Sequence, residues 1–142
     1  MSSSVKQILA GKPSGLVGIA PGDTLESALR IMVERNIGVL PVTEGEKLVG
    51  IISERDFLRR VLYKGIPLQT EVRAVMTEKI STVGSNESIQ RCMELMTELR
   101  VRHLPVVDSG KLIGILSIGD VVRVSLDDQR AMIEHLESYI RA

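Results

Sequence analysis

Ser53 and Asp56 stand three positions apart, and the same pair recurs 64 positions later as Ser117 and Asp120. An ionised carboxylate only accepts hydrogen bonds, so one Asp can take both hydroxyl protons of a sugar diol. A hydrogen bond to such a charged group contributes roughly 1.5–3 kcal/mol. A serine that opens a helix sits beside backbone N–H groups without intrahelical partners, a setting suited to an anionic oxygen. Hydroxyl and carboxylate then face the same small region. The spacing is also that of a helix cap, with Ser at the N-cap and Asp at the third helical position. The two roles are compatible.

The pair belongs to a longer repeat. Between Ile37–Leu62 and Val101–Leu126, 11 of 26 positions are identical, including Pro41 with Pro105 and Gly50 with Gly114. Two unrelated strand–helix segments would share a pattern but not this many letters, so the sequence is duplicated.

Each copy predicts the same elements around its Ser and Asp. A helix is expected over "GDTLESALRIMVERN", with Leu25, Ala28, Leu29, Met32 and Val33 at helical spacing behind an N-cap at Asp23 or Thr24. In "SNESIQRCMELMTELR" the stripe is Ile89, Cys92, Met93, Met96 and Leu99, behind Ser85 or Asn86. Strands follow at Ile37–Val42 and Val101–Val107, then turns at "TEGEK" and "DSGK", then strands at Leu48–Ile52 and Leu112–Leu116. Their consecutive apolar positions imply burial on both faces. Second helices open at Ser53 and Ser117 as N-caps.

Upstream of the copies, "VKQILAGKP" echoes "VRAVMTEKI". Each reads as a short helical turn entering a first strand, "LVGIA" or "ISTVG", with three more residues in the first connection, near Pro13–Gly15. The tail "DDQRAMIEHLESYIRA" is an amphipathic helix with Met132, Ile133, Leu136 and Ile140 on one face. That stripe is expected to dock on its own domain, with subunit contact as the other reading. The fold class is mixed α/β of the α+β kind: two pseudo-symmetric β-α-β-β-α units at residues 5–66 and 72–126, then a terminal helix at 127–142.

Composition narrows the function. The 142 residues suit one core, and eighteen basic residues balance eighteen acidic ones, leaving no global field for nucleic acid or an anionic membrane. One Phe, two Tyr and no Trp leave few rings for stacking bases. No apolar run approaches the roughly 18 residues of a membrane span, and the N-terminus lacks the apolar stretch of a signal peptide. The lone Cys92 excludes an internal disulfide framework and suits the cytoplasm.

The doubled unit, with "LPV" on one strand and Gly-apolar-apolar-Ser-x-x-Asp leading into a helix, resembles the cystathionine β-synthase (CBS) domain. Two copies in tandem resemble a CBS pair, or Bateman module, here of the stand-alone kind, from about Val5 to Leu126. The resemblance implies units packed sheet to sheet with two clefts, and modules that associate into disk-shaped homodimers. It implies adenosyl ligands in those clefts: AMP foremost, with ADP, ATP, NAD(H) or S-adenosylmethionine derivatives as alternatives. The motif Ser and Asp, here Ser53 with Asp56 and Ser117 with Asp120, would meet phosphate and ribose.

The resemblance also implies a basic pair against phosphate before the Leu-Pro step. Arg102 and His103 fill those positions in the second copy, where the first has Gly38 and Val39. Strand alternation sends Arg102 and His103 to opposite faces, so one of them reaches a given phosphate directly. Arg offers a planar fork for phosphate, and His a donor whose charge varies near neutral pH. Arg55 stands at a helix start, where a cation opposes the helix dipole. Its counterpart Gly119 would admit a close approach by backbone or ligand. These differences predict that the cleft carrying Asp120 is the better mononucleotide site. The adenine walls are expected at Gly18 and Ile19, at Lys79 and Ile80, and beside Ile37 and Val101.

Catalysis is not expected. Cys92 lies on an apolar stripe, and His103 and His135 lack companions for a triad. The sequence shows no metal-ligand spacing, Walker motif or GxGxxG. The expected function is a non-catalytic adenine-nucleotide sensor, without catalytic cofactor, that signals to a separate regulated protein through conformational or assembly change. The alternative is a structural interaction module with degenerate clefts.

Overall fold

A computed structural model describes residues 4–12 and 16–141, with Arg141 by its backbone alone. In chain order the elements are α1 (Val5–Ala10), α2 (Leu25–Arg35), β1 (Val39–Glu44), β2 (Lys47–Ser53) and α3 (Glu54–Asp56). A π-helical stretch, Phe57–Leu62, continues α3, and a 3-10 turn follows at Val72–Ala74. The second copy supplies α4 (Ile89–Leu99), β3 (His103–Asp108), β4 (Lys111–Ser117) and α5 (Ile118–Arg141). Two small sheets pair β1 with β2 and β3 with β4.

The chain forms two compact units, and neither is a simple half of the sequence. Gly15–Ser81 with Ser109–Leu112 forms one, here the Asp56 unit. Met1–Ser14, Thr82–Asp108 and Ile113–Ala142 form the other, the Asp120 unit. The opening turn of each copy therefore packs with the strands of the other copy. In the Asp120 unit, Val5 N donates to Glu87 O (3.2 Å) and Lys6 N to Ser85 O (2.9 Å). In the Asp56 unit, Val72 N donates to Asp23 O (2.8 Å) and Arg73 N to Pro21 O (3.0 Å). Val5 and Ile8 are buried with Ile89, Cys92, Leu104 and Leu116. Val72 and Val75 are buried with Leu25, Leu40 and Ile52. Burying apolar surface at roughly 25 cal/mol per Å² drives both clusters.

Thr24 caps α2, its hydroxyl accepting from Ser27 N at 3.1 Å. The cap of α4 is Ser88, which accepts from Arg91 N, rather than Ser85 or Asn86. Ser85 is committed elsewhere: its N–H donates to Asp108 Oδ1 at 2.9 Å, and its carbonyl takes Lys6 N. The apolar stripes are narrower than their spacing suggested. Leu25, Ala28 and Met32 are buried in α2, and Ile89, Cys92 and Met96 in α4, while Val33, Met93 and Leu99 face outward.

β1 pairs antiparallel with β2, from Val39 opposite Ser53 to Val42 opposite Gly50, and Val39–Val42 are buried throughout. The expected first strands reduce to single parallel bridges. Ile19 bonds β1 through its N–H to Pro41 O (3.0 Å) and its carbonyl from Thr43 N (2.9 Å). Val83 bonds β3 in the same way, to Pro105 O and from Val107 N. The counterpart of Ile19 is thus Val83, not Ile80, because the extra residues of the first connection lie ahead of the bridge.

Residues 129–140 of α5 are exposed. The expected docking of the terminal stripe on its own domain is not observed: Met132, Ile133 and Leu136 are about half exposed and Ile140 is 81% exposed. No described helix is long and apolar enough to cross a membrane.

Candidate functional site

In the Asp56 unit the end of β2 leaves Ser53 extended (φ −127°, ψ 166°), which turns its side chain onto the start of α3. Its Oγ accepts from Asp56 N (3.2 Å), while Asp56 Oδ2 accepts from Ser53 N (2.9 Å) and from Ser53 Oγ (3.1 Å). This is a complete capping box. A second segment reaches the other carboxylate oxygen. Thr77 and Ile51 exchange backbone hydrogen bonds of 2.8 and 2.9 Å, which brings the Thr77 hydroxyl to donate to Asp56 Oδ1 at 3.3 Å. Arg60 donates to Val75 O at 2.7 Å, and its Nε lies 3.9 Å from Asp56 Oδ1.

The Asp120 unit repeats the box but surrounds it differently. Asp120 Oδ2 accepts from Ser117 N (3.1 Å), and Asp120 N donates to Ser117 Oγ (3.1 Å). Arg123 donates to Oδ1 at 2.9 Å. The Lys12 ammonium lies 2.6 Å from Asp120 Oδ2 and donates to the Ile115 carbonyl at 2.8 Å. Ile115 matches Ile51, whose carbonyl is bonded by the Thr77 backbone, so a lysine side chain here does what a main-chain N–H does there. Asp56 and Asp120 are the buried charged residues of the described chain. Burial acts to raise the Asp120 carboxyl, but hydrogen bonds from Lys12 and from the backbone and hydroxyl of Ser117, with the Lys12 charge, hold it below the ordinary range.

The structure brings Ser53 to Asp56 and Ser117 to Asp120 as expected from their spacing. Arg55 and Gly119 are exposed in the first turns of their helices. A Cβ on Gly119 would stand 3.8 Å from Ser117 Oγ in otherwise open space, so nothing within the chain requires glycine there. Arg102 is exposed and half-buried His103 opens β3. The Arg102 carbonyl accepts from Ile118 N (2.8 Å), as the Gly38 carbonyl does from Glu54 N (3.0 Å), which confirms the alignment of those positions.

A Cβ on Gly38 would meet the Glu54 carboxylate at 3.3 Å, so Glu54 covers the space beside Gly38 that its missing side chain leaves. Ile37 lines an apolar groove of about 910 Å³ together with Met32, Glu54, Phe57, Leu58 and Leu62, and neither Ser53 nor Asp56 is in its lining. Gly18 is exposed and Ile19 is buried against β1. Lys79 and Ile80 belong to the Asp56 unit and pair with no strand, which corrects their assignment to a first strand of the second copy.

Lys12, Thr77, Arg60 and Arg123 were not singled out by sequence. The echo of "VKQILAGK" in "VRAVMTEK" was the signal for Lys12 and Thr77, because it aligns Lys12 with Lys79 and Ala10 with Thr77; Arg60 and Arg123 lie outside it. Its meaning depends on each opening turn joining the other copy's unit. Cys92 is buried in the core, and burial, reinforced by the charge of Glu87, pushes its thiol up to about 11. Among the described residues no group of three or more His, Cys, Asp or Glu side chains could hold a metal ion.

The family described as CBS domain matches the chain at residues 12–63 and 72–127. The CBS domain-containing protein CBSX3, mitochondrial, of Arabidopsis thaliana is 40% identical over 125 residues, which are 84% of this chain and 61% of that protein. The chain thus spans about three fifths of that relative. The crystal structure of the CBS domain protein NE2398 superposes with a TM-score of 0.82 at 45% identity, covering 89% of this chain and 99% of that one. The CBS domain pair of MJ0100, in complex with 5-methylthioadenosine and S-adenosyl-L-methionine, superposes with a TM-score of 0.79 at 25% identity, covering 90% of this chain and 99% of that one.

Proposed function

The chain belongs to the CBS domain family as a tandem pair, and from that premise we propose that it is a non-catalytic regulatory module. It binds an adenosine-containing ligand at the Ser–Asp clusters, AMP foremost, with ADP, ATP or NAD(H) as alternatives. The observation that carries this reading is the second segment at each carboxylate. Capping accounts for the Ser53–Asp56 and Ser117–Asp120 bonds, but a cap does not require Thr77 or Lys12 to be brought onto the Asp. A buried carboxylate served by two segments is a polar platform whose donors can be exchanged for those of a ligand. The ligand of the MJ0100 pair shares the adenosine chemistry that such a platform suits.

Ser117, Asp120, Gly119, Arg102 and His103 would form the stronger site, and Ser53, Arg55 and Asp56 the weaker. The chain acts as a homodimer in the cytoplasm and signals to a separate protein. The exposed apolar side chains of α5 and the groove beside Leu58 and Leu62 support self-association. Ligand occupancy changes the output only through a difference in affinity between two arrangements. The competing reading, a purely structural interaction module, draws on the capping bonds that each Ser–Asp pair makes within its own helix start.

A thermal-shift panel of AMP, ADP, ATP, NAD, NADH and S-adenosylmethionine distinguishes them. Ligand at about 100 times its Kd should add roughly 2.7 kcal/mol of stability. Asp120→Ala should abolish most of the response and Asp56→Ala the remainder. No shift with any of these at millimolar concentration sinks the sensor reading.

A further inference from the structure

The acceptor capacity of Asp120 is nearly used up by its own chain. A carboxylate offers about four lone-pair positions. On Asp120, Oδ2 serves Ser117 N and the Lys12 ammonium, and Oδ1 serves Arg123. That leaves about one position, too few for both hydroxyls of a sugar diol. Ser117 N is fixed by the strand-to-helix turn and cannot leave. Arg123 approaches from within α5 and is the more exposed of the two cations, at 68% against 35% for Lys12. Lys12 is the donor that reaches Asp120 from a different segment, and it alone also occupies the Ile115 carbonyl.

We infer that Lys12 selects the charge of the ligand at the Asp120 site, on the reading of that site given above. A diol entering on Asp120 displaces the ammonium from a buried carboxylate. The displaced cation loses a charge-assisted bond unless it finds another anion within reach of its flexible stem. A ligand that carries phosphate supplies that anion in the same event. A neutral nucleoside leaves Lys12 unpaired, and a cationic sulfonium adds repulsion. Lys12 therefore discriminates for phosphorylated adenosyl ligands and against neutral or cationic ones.

The Asp56 unit lacks this device. Its matching oxygen, Asp56 Oδ2, holds the neutral Ser53 hydroxyl, and its Oδ1 holds the neutral Thr77 hydroxyl with Arg60 Nε only at 3.9 Å. Lys79, the counterpart of Lys12, has no such contact with Asp56 among the described interactions. The Asp56 site should discriminate less by ligand charge.

The test measures Kd for AMP and for adenosine by titration calorimetry on the full chain, as wild type, Lys12→Gln, Lys12→Arg and Lys79→Gln. Lys12→Gln should weaken AMP about tenfold while adenosine binds as tightly as before or tighter, so that the preference for AMP falls at least tenfold. Lys12→Arg should keep most of the preference, and Lys79→Gln should leave it intact. Equal weakening of both ligands by Lys12→Gln would reduce Lys12 to a structural role and overturn the inference. So would an unchanged ratio, or a change produced by Lys79→Gln instead. Failure of the wild type to bind either ligand overturns the ligand-binding reading itself, an outcome distinct from binding with an unchanged ratio.

Discussion

Gly114 and Leu9 compete for one space: a Cβ on Gly114 would lie 2.6 Å from Leu9 Cδ2. The relation recurs in the Asp56 unit, where a Cβ on Gly50 would lie 2.6 Å from Met76 Sδ. Each glycine is the notch in a strand into which the other copy's opening turn sets an apolar side chain. Leu9 and Met76 hold matching places in "VKQILAGK" and "VRAVMTEK".

The notches differ in what surrounds them, and this orders two substitutions. At Gly114 the near atoms all belong to the Leu9 side chain, which can turn aside. At Gly50 the Thr77 carbonyl also stands 3.2 Å away, within a bridge to Ile51 that cannot move without losing hydrogen bonds. Gly50→Ala is expected to cost about 1–3 kcal/mol, and Gly114→Ala less, with part of each loss offset by reduced freedom of the unfolded chain. Urea unfolding of the two variants checks the order. A larger loss at Gly114 would contradict it.

Asp120 should make stability depend on pH in the acid range. Burial raises its carboxyl, but the bonds from Lys12 and Ser117 and the Lys12 charge outweigh burial, so the folded value lies below the ordinary one. The unfolded chain, near 3.9, then binds more protons in the interval between the two values, and stability rises with pH across it. The contribution is full above the unfolded value and is lost as pH falls through the folded one. Asp120→Asn should therefore flatten the decline in urea midpoint as pH falls from about 5 to about 2 relative to wild type. Parallel declines in the two proteins would show that Asp120 does not couple folding to protons.

Cys92 combines complete burial with a thiol raised to about 11, so little thiolate exists at neutral pH and none of it meets solvent. In the folded protein a disulfide reagent at about pH 8 should label Cys92 at least a hundredfold more slowly than in urea, where the unperturbed thiol near 8.5 is free to react. Rapid labelling without denaturant would mean that the α4 core opens readily.

Much of this was legible in the sequence because it lay within one copy. The Ser–Asp boxes, the Thr24 cap and the buried strand Val39–Val42 follow from spacing and apolar runs, which local geometry determines. Lys12 on Asp120 and Thr77 on Asp56 were not legible, because each contact joins segments more than twenty positions apart and depends on the crossing of the opening turns. The width of the apolar stripes misled in one direction. Val33, Met93 and Leu99 have core-like spacing, yet they face outward beyond the reach of their own small sheets.

The same excess of apolar surface leads to the α5 tail. Propagation from its packed first half can extend α5, but an isolated stretch of about 12–15 residues is a marginal helix in water. Met132, Ile133, Leu136 and Ile140 form an exposed stripe on this stretch, and a second copy presents the same stripe in turn. Two such stripes facing each other bury one another in a two-fold contact. Ile133→Glu with Leu136→Glu should convert the proposed dimer to monomer in sedimentation experiments and lower far-UV helicity. The unfolding transition of the two cores should stay within about 0.5 kcal/mol, since surface changes outside a packed region have small effects. A dimer that survives both changes would mean that self-association uses another face, and a monomeric wild type would remove the dimer from the proposed function.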